Sequence, residues 1–114
     1  MKYLCLIYSD ENAFDRIPRH EIDAVLDGCD AYCAVLREKG TLLAAERLKP
    51  TSTATTIRLE GERASITDGP FAETKEQLGG FFLIEAKGLD EAISVASSLP
   101  PARFGCVELR PIMG

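Results

Sequence analysis

A forced break at Asp68-Gly69-Pro70 constrains this fold more than any other feature of the sequence. It separates an alternating run over 55–67 from a continuous apolar one that opens at Gly80-Phe81-Phe82-Leu83-Ile84. Both runs have strand composition. Pro70 fixes its own φ and biases Gly69 toward an extended conformation, so a rigid turn carrying the Asp68 carboxylate is expected between two strands. Phe71, Glu73, Thr74, Lys75 and Glu76 follow at once, and the i,i+4 spacing of Glu73 and Gln77 predicts a single helical turn there.

The flanking segments supply the rest of the architecture. Residues 2–8 read as a buried strand ended by Ser9-Asp10-Glu11-Asn12. Residues 18–39 read as an amphipathic helix with Pro18 at its first position. Ile22, Val25, Leu26, Cys29, Cys33 and Leu36 form its apolar face, and Gly40 is its left-handed cap. A strand is expected from Leu42 to Lys49-Pro50. The run 55–67 folds on itself as a hairpin about Gly61-Glu62, with Ile57, Leu59, Ala64 and Ile66 on one face and Glu60 and Arg63 as a cross-strand ion pair. A strand over 80–86, a helix over 90–98 with Leu89, Ile93 and Ala96 inward, and a strand over 105–110 complete the chain. Without the hairpin the order is the βαββαβ of an α+β, ferredoxin-like fold, with both helices on one sheet face. The runs 3–8 and 81–84 send apolar side chains to both faces. A second copy packed sheet against sheet is therefore expected to form a homodimer.

The 114 residues fit one domain with a core of its own. The net charge is -5, from 13 basic and 18 acidic residues without basic clusters, which excludes nucleic acid and an anionic membrane surface as expected partners. The N-terminal apolar run is too short for a signal h-region and no segment has transmembrane length, so a cytoplasmic protein is expected. Four cysteines suit that compartment when reduced. Cys29 and Cys33 lie one helical turn apart, a spacing that also suits two thiolate ligands or a redox pair; no second Cys or Cys/His pair follows, and on the apolar face both read as core. So do Cys5 and Cys106, which fall within strands. No glycine-rich phosphate loop, nucleophile elbow or metal-spaced cluster is present, and no cofactor is expected.

Met1-Lys2-Tyr3-Leu4 through Tyr8, Gly40 with its leucines, 50–56, Asp68 to Gly80 and the closing Val107-Glu108-Leu109-Arg110-Pro111 together resemble the DGPF branch of the YCII-related proteins. The resemblance spans the chain and implies a dimeric α/β barrel of ferredoxin-like protomers. Some YCII relatives are thought to be small-molecule enzymes using a His–Asp pair, with the histidine about three turns before the glycine that closes the first helix. Counting back from Gly40 places Cys29 there, and His20, the sole histidine, sits at the helix entrance instead. Relatives of the DGPF branch are also often encoded beside extracytoplasmic-function sigma factors. That association implies an accessory or regulatory role acting through a protein partner.

Asp68 is the candidate acid/base group, and its alternative is an Asx-turn that accepts backbone N–H groups just ahead of it. Tyr8, Arg47, Gly69, Pro70, Phe71, Glu73 and Lys75 are the candidate contacts for a small polar organic ligand, with Arg47 suited to clamp an acidic one. Gly79-Gly80 permits a bulge or the close approach of a ligand.

Overall fold

Strict alternation along the apolar runs builds a sheet with one covered face. The computed structural model describes residues 1–114 and contains β1 (Lys2–Ser9), α1 (Glu11–Phe14), α2 (Arg19–Glu38), β2 (Leu42–Arg47), β3 (Thr55–Glu60), β4 (Arg63–Asp68), β5 (Gln77–Glu85), α3 (Leu89–Ser97) and β6 (Gly105–Pro111). Four strands pair antiparallel in the order β2-β5-β1-β6, and β3-β4 form a separate hairpin. This is the ferredoxin-like α+β arrangement with an inserted hairpin.

The covered face takes alternate residues from each strand. Tyr3, Cys5 and Ile7 of β1 and Phe82 and Ile84 of β5 are buried against Cys29, Cys33 and Leu36 of α2 and Ala92 and Ala96 of α3. On the other face Leu4, Leu6, Phe81 and Leu83 stay half-exposed. α2 ends in a Schellman motif, in which Gly40, at φ +76°, donates to Arg37 O and Thr41 donates to Leu36 O.

Several local expectations give way to packing. Pro18 caps α2 from outside the helix, with ψ 138°. Residues 73–76 form no helical turn, because β5 already begins at Gln77. The inward face of α3 is Ala92 and Ala96 rather than Leu89 and Ile93, which are exposed: small residues let the helix approach the sheet closely. Val107 and Leu109 of β6 pack on the core, which turns Cys106 outward, exposed rather than buried. Glu60 lies opposite Arg63, yet no ion pair joins them. α1 and the short 3-10 turns Thr51–Thr53 and Pro100–Phe104 had no clear sequence signal.

Burial pushes the Cys5 thiol from 9.0 up to about 11. Burial, and next the neighbouring Cys29, push Cys33 up to about 11 as well. Native protein at pH 8 should therefore offer no more than one thiol to a reagent, and all four only when unfolded. Two or more fast native thiols would contradict the packing. A raised thiol pKa means the folded chain holds its protons longer than the unfolded chain. The associated stability is present below pH 9.0 and declines as the pH rises toward about 11. Denaturant melts at pH 8, 9.5 and 10.5 would read the decline.

Candidate functional site

The hairpin places Asp68. Its register runs from Thr55 opposite Asp68 to Glu60 opposite Arg63, and Gly61 turns the corner at φ +62°. Asp68 is the last residue of β4, and Gly69 leaves the strand at φ +99°, a left-handed value rather than the extended one expected before proline. Only glycine takes that conformation without strain. Gly69 N–H donates to Ala54 O at 2.7 Å, and the Thr56 hydroxyl donates to Gly69 O at 2.8 Å. The turn is therefore fixed by main chain and Thr56. The Asp68 carboxylate takes no part, so the anticipated Asx-turn does not form. It is exposed, with no hydrogen bond or ion pair, and the side chains of Phe71, Glu73 and Lys75 are likewise exposed and unengaged.

A short polar relay anchors both limbs of this insertion. The Asp10 carboxylate accepts from Asn12 N–H at 2.9 Å and starts α1. Glu11 then accepts from Thr51 twice, from N–H at 2.8 Å and from the hydroxyl at 2.7 Å. The outgoing limb is tied to the same residue, because Glu11 N–H donates to Gln77 Oε1 at 2.9 Å while Gln77 Nε2 donates to Thr74 O. α1 thus holds the segment entering the hairpin and the one leaving it.

Sheet pairing decides which of the other polar side chains come together. Tyr8, near the end of β1, lies opposite Leu78 on one side and Cys106 on the other, so all three share the open face. The register slips between Ile7 and Tyr8, which makes Gly79 the extra residue of a bulge. Gly80 faces the β2 backbone so closely that a Cβ would lie 2.8 Å from Glu46 O. Both glycines are thereby explained by the sheet alone. Cys106 Sγ is 3.9 Å from Glu76 Oε1. Tyr8, Cys106 and Glu76 therefore gather at one end of the open face, beside the start of β5, the strand that the Asp68 loop enters.

Glu76 and Cys106 were absent from the candidate contacts. The available signal was the alternation in Cys106-Val107-Glu108-Leu109-Arg110, which puts Cys106 on the side of the two charged residues.

Arg47 is not part of this cluster. It lies opposite Gly80 on the helix-covered side, where its Nη2 donates to Asp30 of α2 at 2.8 Å. The pair is exposed and worth no more than about 1 kcal/mol. His20 is exposed in the first turn of α2, and Cys29 is in the core, facing away from the open sheet face. Down that face run the half-exposed Leu4, Leu6, Phe81 and Leu83, bordered by Glu46 on β2 and by a Glu108–Arg110 pair at 2.9 Å on β6.

The best-formed concavity, about 540 Å³, lies elsewhere, between α2 and the Pro100–Phe104 turn, lined by Ala24, Val25, Leu99 and Arg103 among others. A second, of about 300 Å³, surrounds Gly40, Thr41 and Glu85. Neither includes the Asp68 turn. No three His, Cys, Asp or Glu side chains are grouped to hold a metal ion. No helix is long and apolar enough to cross a membrane.

Comparison with known proteins supplies a family. An uncharacterised protein of Rhizobium meliloti (strain 1021), R00369, is 40% identical over 114 residues, covering 98% of this chain and 92% of the relative. The solved structure of 5-chloro-2-hydroxyhydroquinone dehydrochlorinase (TftG) from Burkholderia phenoliruptrix AC1100, in complex with 2,5-dihydroxybenzoquinone, matches with a TM-score of 0.51 at 16% identity. That match covers 99% of this chain and 94% of the other, and it bears on the fold. The model of the YCII-related domain matches residues 1–114, so the chain belongs, over its whole length, to the YCII-related family.

Proposed function

We propose that this protein binds a small polar organic molecule beside the Asp68-Gly69-Pro70-Phe71 turn and acts on it by carboxylate acid/base chemistry, as a homodimer packed through the open sheet faces. The observation that carries the reading is a carboxylate presented without a partner on a turn whose main chain is fixed on both sides, by Ala54 and by Thr56. An unpaired carboxylate can accept a proton from a hydroxyl or amine brought within about 3 Å. The Tyr8 phenol and the Glu76 carboxylate, at the sheet end that the same loop enters, offer further polar contacts. The structurally similar dehydrochlorinase was solved with a hydroxylated quinone, which supports hydroxylated ring compounds as the first ligand class to try. Within the family, the cytoplasm is the compartment we expect, and no bound cofactor is invoked.

Side-by-side thermal shifts of wild type and Asp68→Asn, against small polar metabolites and hydroxylated aromatic acids and quinones, test the reading. A ligand at 100 times its Kd stabilises the folded state by about 2.7 kcal/mol, a clear rise in midpoint. The expected result is a compound that raises the wild-type midpoint and not that of Asp68→Asn. A compound raising both equally would remove Asp68 from the site.

A second reading, a non-catalytic accessory that docks on a protein partner such as a transcription factor, draws on the exposed apolar side chains of β3 and β4. It gains if no compound shifts either protein.

A further inference from the structure

The β3–β4 hairpin is built as though something covers it. Ile57, Leu59 and Ile66 are 61%, 77% and 69% exposed. The register sets Ile57 opposite Ile66 and Leu59 opposite Ala64, so these residues form one apolar stripe on one face of a two-stranded ribbon. No other element of the protomer packs extensively on it, and every residue of β4 is exposed. A hairpin of two strands is marginal in water without a further layer.

The size of the missing cover can be read from the whole protomer. It exposes 8130 Å². A folded monomer of this mass exposes about 6,100 Å², leaving a surplus of about 2,000 Å². The radius of gyration is 16.0 Å, with extents of 45 × 41 × 20 Å. A closed domain of this length has a radius near about 13 Å. A surplus of that size on each of two copies matches an obligate homodimer interface of about 4,000 Å² in total. The charges of the hairpin point the same way. Arg58 and Arg63 balance Glu60 and Glu62, none of them ion-paired within the protomer, and a ribbon of balanced sign suits a surface of its own composition under two-fold symmetry.

We propose that β3–β4 is an arm that lays its Ile57–Leu59–Ile66 stripe on a second copy of this chain, so that the Asp68 turn at its root is completed by the partner. The last clause rests on the site reading above; the arm itself does not. It accounts for the absence of a well-formed concavity at Asp68 in the single protomer.

Sedimentation equilibrium of wild type and of Ile57→Lys/Ile66→Lys, with circular dichroism to verify folding, provides the first arm of the test. The double variant is expected to raise the dimer dissociation constant by more than about tenfold, since both arms lose their apolar contacts. The second arm is Leu59→Trp, which gives the chain its only tryptophan. Its emission should be blue-shifted and shielded from acrylamide in the dimer, and should red-shift on dilution to monomer. A dimeric wild type whose dissociation constant the double variant leaves unchanged, with Trp emission red at every concentration, would overturn the arm while leaving the sheet-to-sheet dimer and the Asp68 site standing. A monomeric wild type would overturn arm and dimer together. Shielding of the tryptophan that needs another protein added would overturn the second copy as the occupant.

Discussion

Gly105→Ala is expected to cost this protein a large share of its folding stability. A Cβ at this position would lie 1.8 Å from Tyr8 O, 2.8 Å from Tyr8 C and 2.9 Å from Ser9 Cα. All three are backbone atoms of the neighbouring strand, paired in register with the start of β6. No side-chain rotamer can relieve the contact, so the two strands must part where Gly105 meets Ser9 and Cys106 meets Tyr8. The cost should reach at least about 3 kcal/mol, the upper end for overpacking. That is a large share of the roughly 5–15 kcal/mol that holds a domain together. Urea denaturation, or the soluble yield where the variant precipitates, measures it. A loss below about 1 kcal/mol would mean that β6 does not approach β1 in this way.

Ile84→Ala should cost about 2–5 kcal/mol by leaving a cavity at the centre of the core. Ile84 is 0% exposed, on a central strand, between Tyr3 of β1 and Leu42 of β2. Its neighbour Leu83 points to the open face and is half-exposed in the protomer. Leu83→Ala should therefore be mild at low protein concentration and show its effect as a lower, concentration-dependent melting midpoint where dimers form. Equal, concentration-independent losses at 83 and 84 would contradict the assignment of one residue to the core and the other to an interface.

The contrast between these residues shows what the sequence made legible. The continuous apolar runs Tyr3-Leu4-Cys5-Leu6-Ile7 and Phe81 to Ile84 revealed strands apolar on both faces, and the Gly61-Glu62 turn predicted a hairpin register that the structure reproduces. Those signals are local. The inward face of α3 was misread because Leu89 and Ile93 carry more apolar area than Ala92 and Ala96, whereas the sheet selects the residues that fit its surface. Cys106 was misread for a related reason: type suggested core, and parity with Val107 and Leu109 decided otherwise.

In the site, the position of Asp68 was legible, since proline and glycine announce a turn. Its hydrogen bonding was not, because the partners that fix the turn, Ala54 and Thr56, lie across the hairpin rather than next in sequence. The proximity of Glu76 to Cys106, and of both to Tyr8, depends on the pairing of β1 with β5 and β6, strands far apart in the chain. Arg47 carries the charge to clamp an acidic ligand, but strand parity turns it toward α2 and Asp30.

Mapping a bound compound on the folded protein tests most directly whether the Asp68 turn is the ligand site. With a compound taken from the thermal-shift screen, amide chemical shifts of ¹⁵N-labelled protein should change at Asp68, Gly69 and Phe71 and at Tyr8, Glu76 and Cys106, and the changes should vanish in Asp68→Asn. Changes gathered instead on Ala24, Ser98 and Arg103 would place the ligand in the groove beside α2 and contradict the assignment.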